Sequence, residues 1–287
     1  LGWSAVDGIM QRAVQRGLDR RDANGEIRHI GVDEVSFQKR HEYITVVSDH
    51  ERNRVLYLAD NRKTTSLDGF YETLSDKQKG AIESVSMDMW AAFINATRKH
   101  VPAADEKIAF DRFHVAKMFN EVVDKVRRAE NKALLSQGDN SMVRSRYHWL
   151  RHPGDISRKH WPDFKALRAV AIKTARAWAI KEHASSLWNY VSRTWAEKGW
   201  KKLLGWMSRS RLTDMVKLAR TIRKYLWGII NAITLNASNG KSESMNSRIQ
   251  KIKARSNGFR NRERFRNAIY FHLGELHLYP SPKEAAL

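Results

Sequence analysis

Along this chain the apolar positions change their period twice. Residues 29–37, HIGVDEVSF, alternate between apolar and polar, as do 42–50, EYITVVSDH, and 53–59, NRVLYLA. A period of two marks strands with one buried face. The polar turn DHERN joins the second run to the third, so the three are predicted to form an antiparallel meander. TTSLDGFYETLSD then spaces Leu67, Phe70 and Leu74 at helical intervals. AIESVSM reads as a short strand ending at Asp88, WAAFINATRKH as a helix, and KIAF as a strand ending at Asp111. Residues 112–132 form a long predicted helix with Val115, Phe119, Val122 and Val126 on one stripe.

The order β-β-β-α-β-α-β-α predicts an α/β fold with a mixed sheet flanked by helices. It is also the order of the ribonuclease H fold. In open sheets of this kind, functional groups gather at the carboxyl ends of strands. From residue 133 to 237 the strand signal stops. Phe164, Leu167, Ala171, Ala175 and Trp178 recur at helical spacing, as do Leu212, Met215, Ala219, Ile222, Leu226 and Ile230. A large all-α insertion is predicted there. It holds eight of the ten tryptophans, read mainly as core and inter-helix packing. After Asn239 and Gly240 a helix is predicted to about Arg255. Met245, Ile249 and Ile252 lie on one face, and Glu243, Asn246, Ser247 and Gln250 on the other. The predicted domains are 1–28, an N-terminal helix with Ser4 as N-cap; 29–132, the first part of the sheet core; 133–237, the insertion; and 238–287, the closing helices.

Composition changes this picture in two ways. The 287 residues include 52 Lys and Arg against 31 Asp and Glu, a formal charge of +21. Folding does not need such an excess, so it points to polyanionic partners. Cysteine is absent, which excludes disulfides and Cys-ligated zinc within this segment and fits a reducing compartment. No apolar run is long enough to span a membrane. The opening LGWSAVDGIM lacks the pattern of a signal peptide and an initiator Met, and the chain is read as a piece of a longer protein.

Three acids stand at positions where the fold would bring them together. Asp33 lies in the first strand, Asp88 ends the fourth, and Glu243 opens the helix after the insertion. In a ribonuclease H-like sheet the first and fourth strands are neighbours. Grouped carboxylates repel, by about 4 kcal/mol for two charges 4 Å apart at an effective dielectric near 20. Hard divalent cations relieve that repulsion, and two ions roughly 4 Å apart suit phosphodiester chemistry. Ordinary structural uses compete: Glu34 as the inward residue instead of Asp33, Asp88 as a helix N-cap, and Glu243 as a complement to its helix dipole.

The segments GVDEVSFQKRHEYITVVSD, SMDMWAAFINA, FDRFHVAKMFNEVVDKVRRAE and SNGKSESMNSRIQKIKARSNGFRN together resemble the bacterial insertion-sequence transposases of the ISL3 family, in order from about Ile30 to Leu273. The resemblance implies a DDE catalytic domain of ribonuclease H-like fold, with Asp33, Asp88 and Glu243 as the catalytic, metal-binding triad. It implies Mg2+ or Mn2+, two ions, as cofactor, and cleavage of DNA at the element's ends followed by strand transfer into target DNA. Asp111 and His114, in FDRFHV, resemble a D-x-x-H signature of insertion-bearing DDE transposases and are accessory candidates. The family also carries an upstream zinc-binding segment and helix-turn-helix, of which residues 1–28 are read as a remnant.

Basic residues crowd the segment after the insertion. Lys241, Arg248, Lys251, Lys253, Arg255 and Arg260 are expected to contact DNA, with Arg262, Arg264 and Arg266 beyond them. The expected partners are element-end and target DNA and further copies of the chain, with no membrane, in the bacterial cytoplasm at the nucleoid. Two other readings stay open: a nuclease or resolvase of the same fold that hydrolyses without joining, and a non-catalytic DNA-binding protein descended from a transposase.

Overall fold

The computed structural model describes residues 2–22, 25–38, 42–237 and 240–280; the loop signal at Asn239 falls outside them. The chain divides into two compact units, Leu1–Ala109 with Ala237–Leu287, and Phe110–Asn236. In the first unit the elements are α1 (Trp3–Asp19), β1 (His29–Gln38), β2 (Glu42–Asp49), β3 (Arg54–Asp60), α2 (Thr64–Glu72), α3 (Asp76–Ala81), β4 (Ser84–Met87), α4 (Ala91–His100), α5 (Ala104–Lys107) and β5 (Ile108–Phe110). The second unit holds α6 (Arg112–Leu135), α7 (Arg146–Leu150), α8 (Trp161–Val170), α9 (Ile172–Ser186), α10 (Arg193–Arg209) and α11 (Thr213–Thr234). The chain then returns to the first unit as α12 (Gly240–Arg255) and α13 (Arg262–Leu273).

The strands form one mixed sheet of order β3-β2-β1-β4-β5, the ribonuclease H-like arrangement, interrupted by a helical insertion. β1 pairs antiparallel with β2 and β2 with β3, as the short polar connections require. The tight β2–β3 turn is organised by Asp49, whose Oδ1 accepts the backbone N–H groups of Glu51 and Arg52. Asn53 completes the turn in the left-handed region, at φ 51°, which Asn tolerates better than most residues. β4 runs parallel to β1, with Ile30 opposite Val85 and Gly31 opposite Ser86.

Alternation along β1 sorts its side chains onto two faces. Val35 and Phe37 join Ile44, Val46, Val55 and Leu58 in a core closed by Met245 and Ile249 of α12 and by Phe265, Ile269 and Leu273 of α13. α2 and α4 pack together elsewhere in the same unit, with Tyr71 buried and bonded to Thr97 through its hydroxyl at 3.0 Å. Val14 of α1 enters the α12/α13 core. α1 also bonds to the C-terminal residues, Arg16 to the Leu278 carbonyl and Gln11 to Glu263. Residues 1–28, read from sequence as a segment apart, are therefore part of this unit. The helix starts after Gly2 without a side-chain cap, so Ser4 is not its N-cap.

The free edge of β3 is covered by side chains rather than by another strand. Tyr270 Oη accepts the Leu58 N–H, Arg266 donates to the Leu58 carbonyl, and Arg21 donates to the carbonyls of Val55 and Leu56. An edge so occupied offers no template for intermolecular pairing.

The helical unit begins earlier than residue 133, because α6 belongs to it. Trp149, Phe164 and Trp178 meet edge to face there, with centroids 5.1 and 5.2 Å apart. Trp149, Trp178 and Trp200 are buried, whereas Trp161, Trp195 and Trp206 are exposed, so core packing accounts for part of the tryptophan set. The periodic run from Phe164 to Trp178 is broken at Ala171, between α8 and α9. Glu130 of α6 causes a new helix to start at that point. Its carboxylate accepts the N–H groups of Lys173 and Thr174 and the Thr174 hydroxyl, capping α9 from a distance. Among the described residues no helix is long and apolar enough to cross a membrane.

Phe265 is fully buried, with its ring 5.7 Å from Phe37 and 5.0 Å from Phe259. Phe265→Ala is expected to lower unfolding stability by about 3–5 kcal/mol, read as a lower urea midpoint with an unchanged m-value.

Candidate catalytic site and nucleic-acid interface

The parallel pairing of β1 with β4 has an offset of 55 residues. The ladder ends at Gly31 and Ser86; the same offset carried two steps further relates Asp33 to Asp88, which lies just past the end of β4. Asp33 falls on the side of the sheet that α12 covers, because it shares its face with Val35 and Phe37. Glu34 points the other way and pairs with Arg62 at 3.3 Å. Arg62 itself lies 4.6 Å from the centroid of Trp90 and 5.3 Å from that of Tyr43. Of the two acids in GVDEV, Asp33 is thus the one beside α12.

Asp88 follows β4 immediately and is half-buried. Its carbonyl accepts the Trp90 N–H at 2.7 Å, and the Trp90 indole N–H donates to the Arg62 carbonyl at 2.9 Å. Both bonds stiffen the loop after the strand. α4 starts at Ala91 with Trp90 as its N-cap residue and no side-chain cap, so Asp88 is not used as a helix cap.

Glu243 is exposed in the first turn of α12, where its charge also complements the helix dipole. The two residues before it are fastened to His50 at the end of β2. Ser242 Oγ lies 2.9 Å from His50 Nε2, and the Lys241 ammonium donates to the His50 carbonyl. Gly31 makes this possible, since a Cβ there would collide with both the His50 ring and the Ser242 hydroxyl. One turn further, Asn246 Nδ2 donates to Asp33 Oδ2 at 2.6 Å, while Asp33 Oδ1 accepts the Glu34 N–H at 2.7 Å. The acceptor oxygens of Asp33, Asp88 and Glu243 do not all lie within 4.8 Å of one another.

Asp111 and His114 lie at the head of α6 in the helical unit. Asp111 is buried and caps the helix, its Oδ1 accepting the Phe113 N–H at 2.9 Å. Its Oδ2 stands 2.7 Å from His114 Nδ1. When His114 Nδ1 is the donor in this pair, Nε2 is left as the ring's acceptor.

The basic side chains divide into two groups. Lys241 bonds to the His50 carbonyl, Arg248 to that of Asn53 at 3.4 Å, and Lys253 to that of Ser36 at 3.0 Å. These three tie α12 to the sheet. Arg262 and Arg266 pair with Asp60, and Arg264 pairs with Asp7. Lys251, Arg255 and Arg260 are exposed. They are the residues of the segment most open to a phosphate backbone. Residues missed by the sequence reading are His50, Ser242 and the role of Asn246; the last stood one helical turn from Glu243, the only signal available.

The sheet order and the helical insertion are those of a ribonuclease H-like protein. The chain belongs to the ISL3 family of DDE transposases, whose family profile, described as "Transposase", matches residues 30–269. It is 26% identical over 268 residues to the transposase for insertion sequence element IS1001 of Bordetella parapertussis, covering 92% of this chain and 65% of that one. It is 25% identical over 283 residues to the transposase for insertion sequence element IS1557 of Mycobacterium tuberculosis, covering 91% and 63%. The chain thus spans just under two thirds of the length of these relatives. No solved structure matches it.

Burial pushes the His50 imidazole down to about 4, with Lys241 reinforcing the effect and Asp49 opposing it. Above pH 6.5 the ring is neutral whether the chain is folded or unfolded. Between pH 6.5 and 4 only the unfolded chain takes up the proton, so stability falls as pH drops, by about 3 kcal/mol across that window. Urea unfolding of wild type between pH 7 and 4.5 should show this slope, and His50→Gln should lack it.

Proposed function

We propose that this chain is the catalytic portion of an insertion-sequence transposase that cleaves DNA at the element's ends and joins the freed strand to a target. Family membership supports the reaction class. The residue assignment is argued from the β1–β4 register, whose 55-residue offset extends to Asp33 and Asp88, and from the bond between Asp33 and Asn246 on the helix that presents Glu243. Asp33, Asp88 and Glu243 are the ligands for divalent metal in this reading. The donor chemistry suits such a group: all three side chains offer hard carboxylate oxygens, and Asp33 is oriented by the Asn246 amide and the Glu34 N–H. Bound Mg2+ or Mn2+ supplies charge neutralisation at the phosphate and a more acidic attacking water.

The protein's own part is to hold the acids and the DNA. The buried β4 strand and the Trp90 loop fix Asp88. The His50 latch fixes the start of α12 and with it Glu243. In the first step a water oxygen bonds to phosphorus and the 3′-oxygen leaves, taking up a proton. In the second, that 3′-hydroxyl loses its proton, attacks a target phosphorus and displaces the target's own 3′-oxygen. Asp111 and His114 are accessory groups, the His ring pre-oriented by the Asp. Lys251, Arg255 and Arg260 hold the phosphate backbone, and Lys241, Arg248 and Lys253 support them by fixing α12.

Asp88→Asn is expected to fold as wild type and to lose cleavage in both Mg2+ and Mn2+; retained cleavage removes Asp88 from the mechanism. A labelled 3′-end joined to a target plasmid separates transposase from a nuclease, which makes no joined product. Each of Lys251→Ala, Arg255→Ala and Arg260→Ala is expected to reduce the log-log salt slope of duplex binding by about 1 without loss of stability. Lys253→Ala should instead lower the thermal midpoint.

A further inference from the structure

Asn246 occupies an unusual position in this site. Its Nδ2 gives the 2.6 Å hydrogen bond to Asp33 Oδ2. An ionised carboxylate has no proton to offer, so the amide must present its NH2 group to Asp33 and its orientation is set by chemistry. The Asn246 Oδ1 atom is then turned into the protein, where it is buried and has no hydrogen-bond partner. A buried amide oxygen left in this way is unfavourable. Flipping the amide would remove the bond to Asp33 and set oxygen against oxygen. The fold thus tolerates an unsatisfied acceptor to keep a donor on one particular carboxylate.

That donor is not needed to dock the helix. α12 is already anchored by Ser242 at its start and by Lys253 near its end, and Met245 and Ile249 are buried in the core beneath it. Asn246 lies three residues after Glu243, hence on the same side of α12.

We infer that Asn246 is a positioning residue. It acts through Asp33, holding that carboxylate in a single orientation and tying it to the helix that carries Glu243, so that ligands from a strand and a helix keep a fixed relation. The inference rests on the metal-site reading above. Groups that orient metal ligands in this way commonly change affinity 10- to 100-fold when removed.

The test is Mn2+ binding to the full chain, followed by electron paramagnetic resonance, together with the Mn2+ concentration that gives half-maximal DNA cleavage. Asn246→Ala is expected to weaken Mn2+ at least about tenfold by both readouts, with the thermal midpoint near that of wild type and the rate at saturating Mn2+ largely retained. Asn246→Gln keeps the NH2 group on a longer stem and is expected to recover part of the loss. The inference is overturned if both variants take up Mn2+ as wild type does while Asp33→Asn loses it. A large drop in the thermal midpoint of Asn246→Ala, with unchanged Mn2+ affinity in folded Asn246→Gln, assigns Asn246 to stability alone and also overturns it. If Asp33→Asn itself binds Mn2+ normally, the metal reading of Asp33 fails and this inference falls with it.

Discussion

The docking of α12 on β1 is the constraint from which the site follows. Burial of Met245 and Ile249 supplies the adhesion, but apolar contact alone does not fix how far a helix slides along a strand. The polar contacts do. Ser242 meets His50 above Gly31, Asn246 meets Asp33, and Lys253 reaches the Ser36 carbonyl. The three lie in the same order along helix and strand, so a shift of one helical residue would break all of them together. Gly31 admits the closest of these approaches by having no side chain.

The same contacts explain why charge counting overstates the cationic surface open to a polyanion. A run of lysines and arginines within a few turns looks like one cationic face. In the structure Lys241, Arg248 and Lys253 spend their donors on main-chain carbonyls, and Arg262, Arg264 and Arg266 on acids. Long basic side chains do this readily because their stems pack while their heads reach polar groups. A phosphate would have to compete with those bonds, and it meets no such competition from an exposed solvated side chain. The electrostatic field of the segment still includes every charge, but the groups able to sit on individual phosphates are fewer.

The fold was legible where periodicity was long. The meander, the order of the later strands and helices, and α11 and α12 follow from spacing, and the adjacency of β1 and β4 followed from that order. What escaped the sequence depends on distant partners. The break at Ala171 needs Glu130, about forty residues upstream, to cap α9, and nothing local to that run marks it. α1 was read as a helix, but its place in the sheet unit was not, because the α13 residues that share a core with Val14 come from the other end of the chain. The capping box of Ser75 and Gln78 that starts α3 was a local signal and could have been read. At the site, the latch of His50 on Ser242 was invisible, since a buried His and a Ser in the first turn of a helix 192 residues away have no sequence relation.

The position of the insertion gives the docking contacts a further meaning. Between β5 and α12 the chain leaves the sheet unit for the whole of Phe110–Asn236 and then returns. α12 is therefore distant in sequence from the strand it packs on, and its register is set by contacts made within the sheet unit. A latch at residues 241 and 242 and a carboxylate–amide bond at 246 stand on either side of Glu243, which is where such contacts have the most leverage over its position.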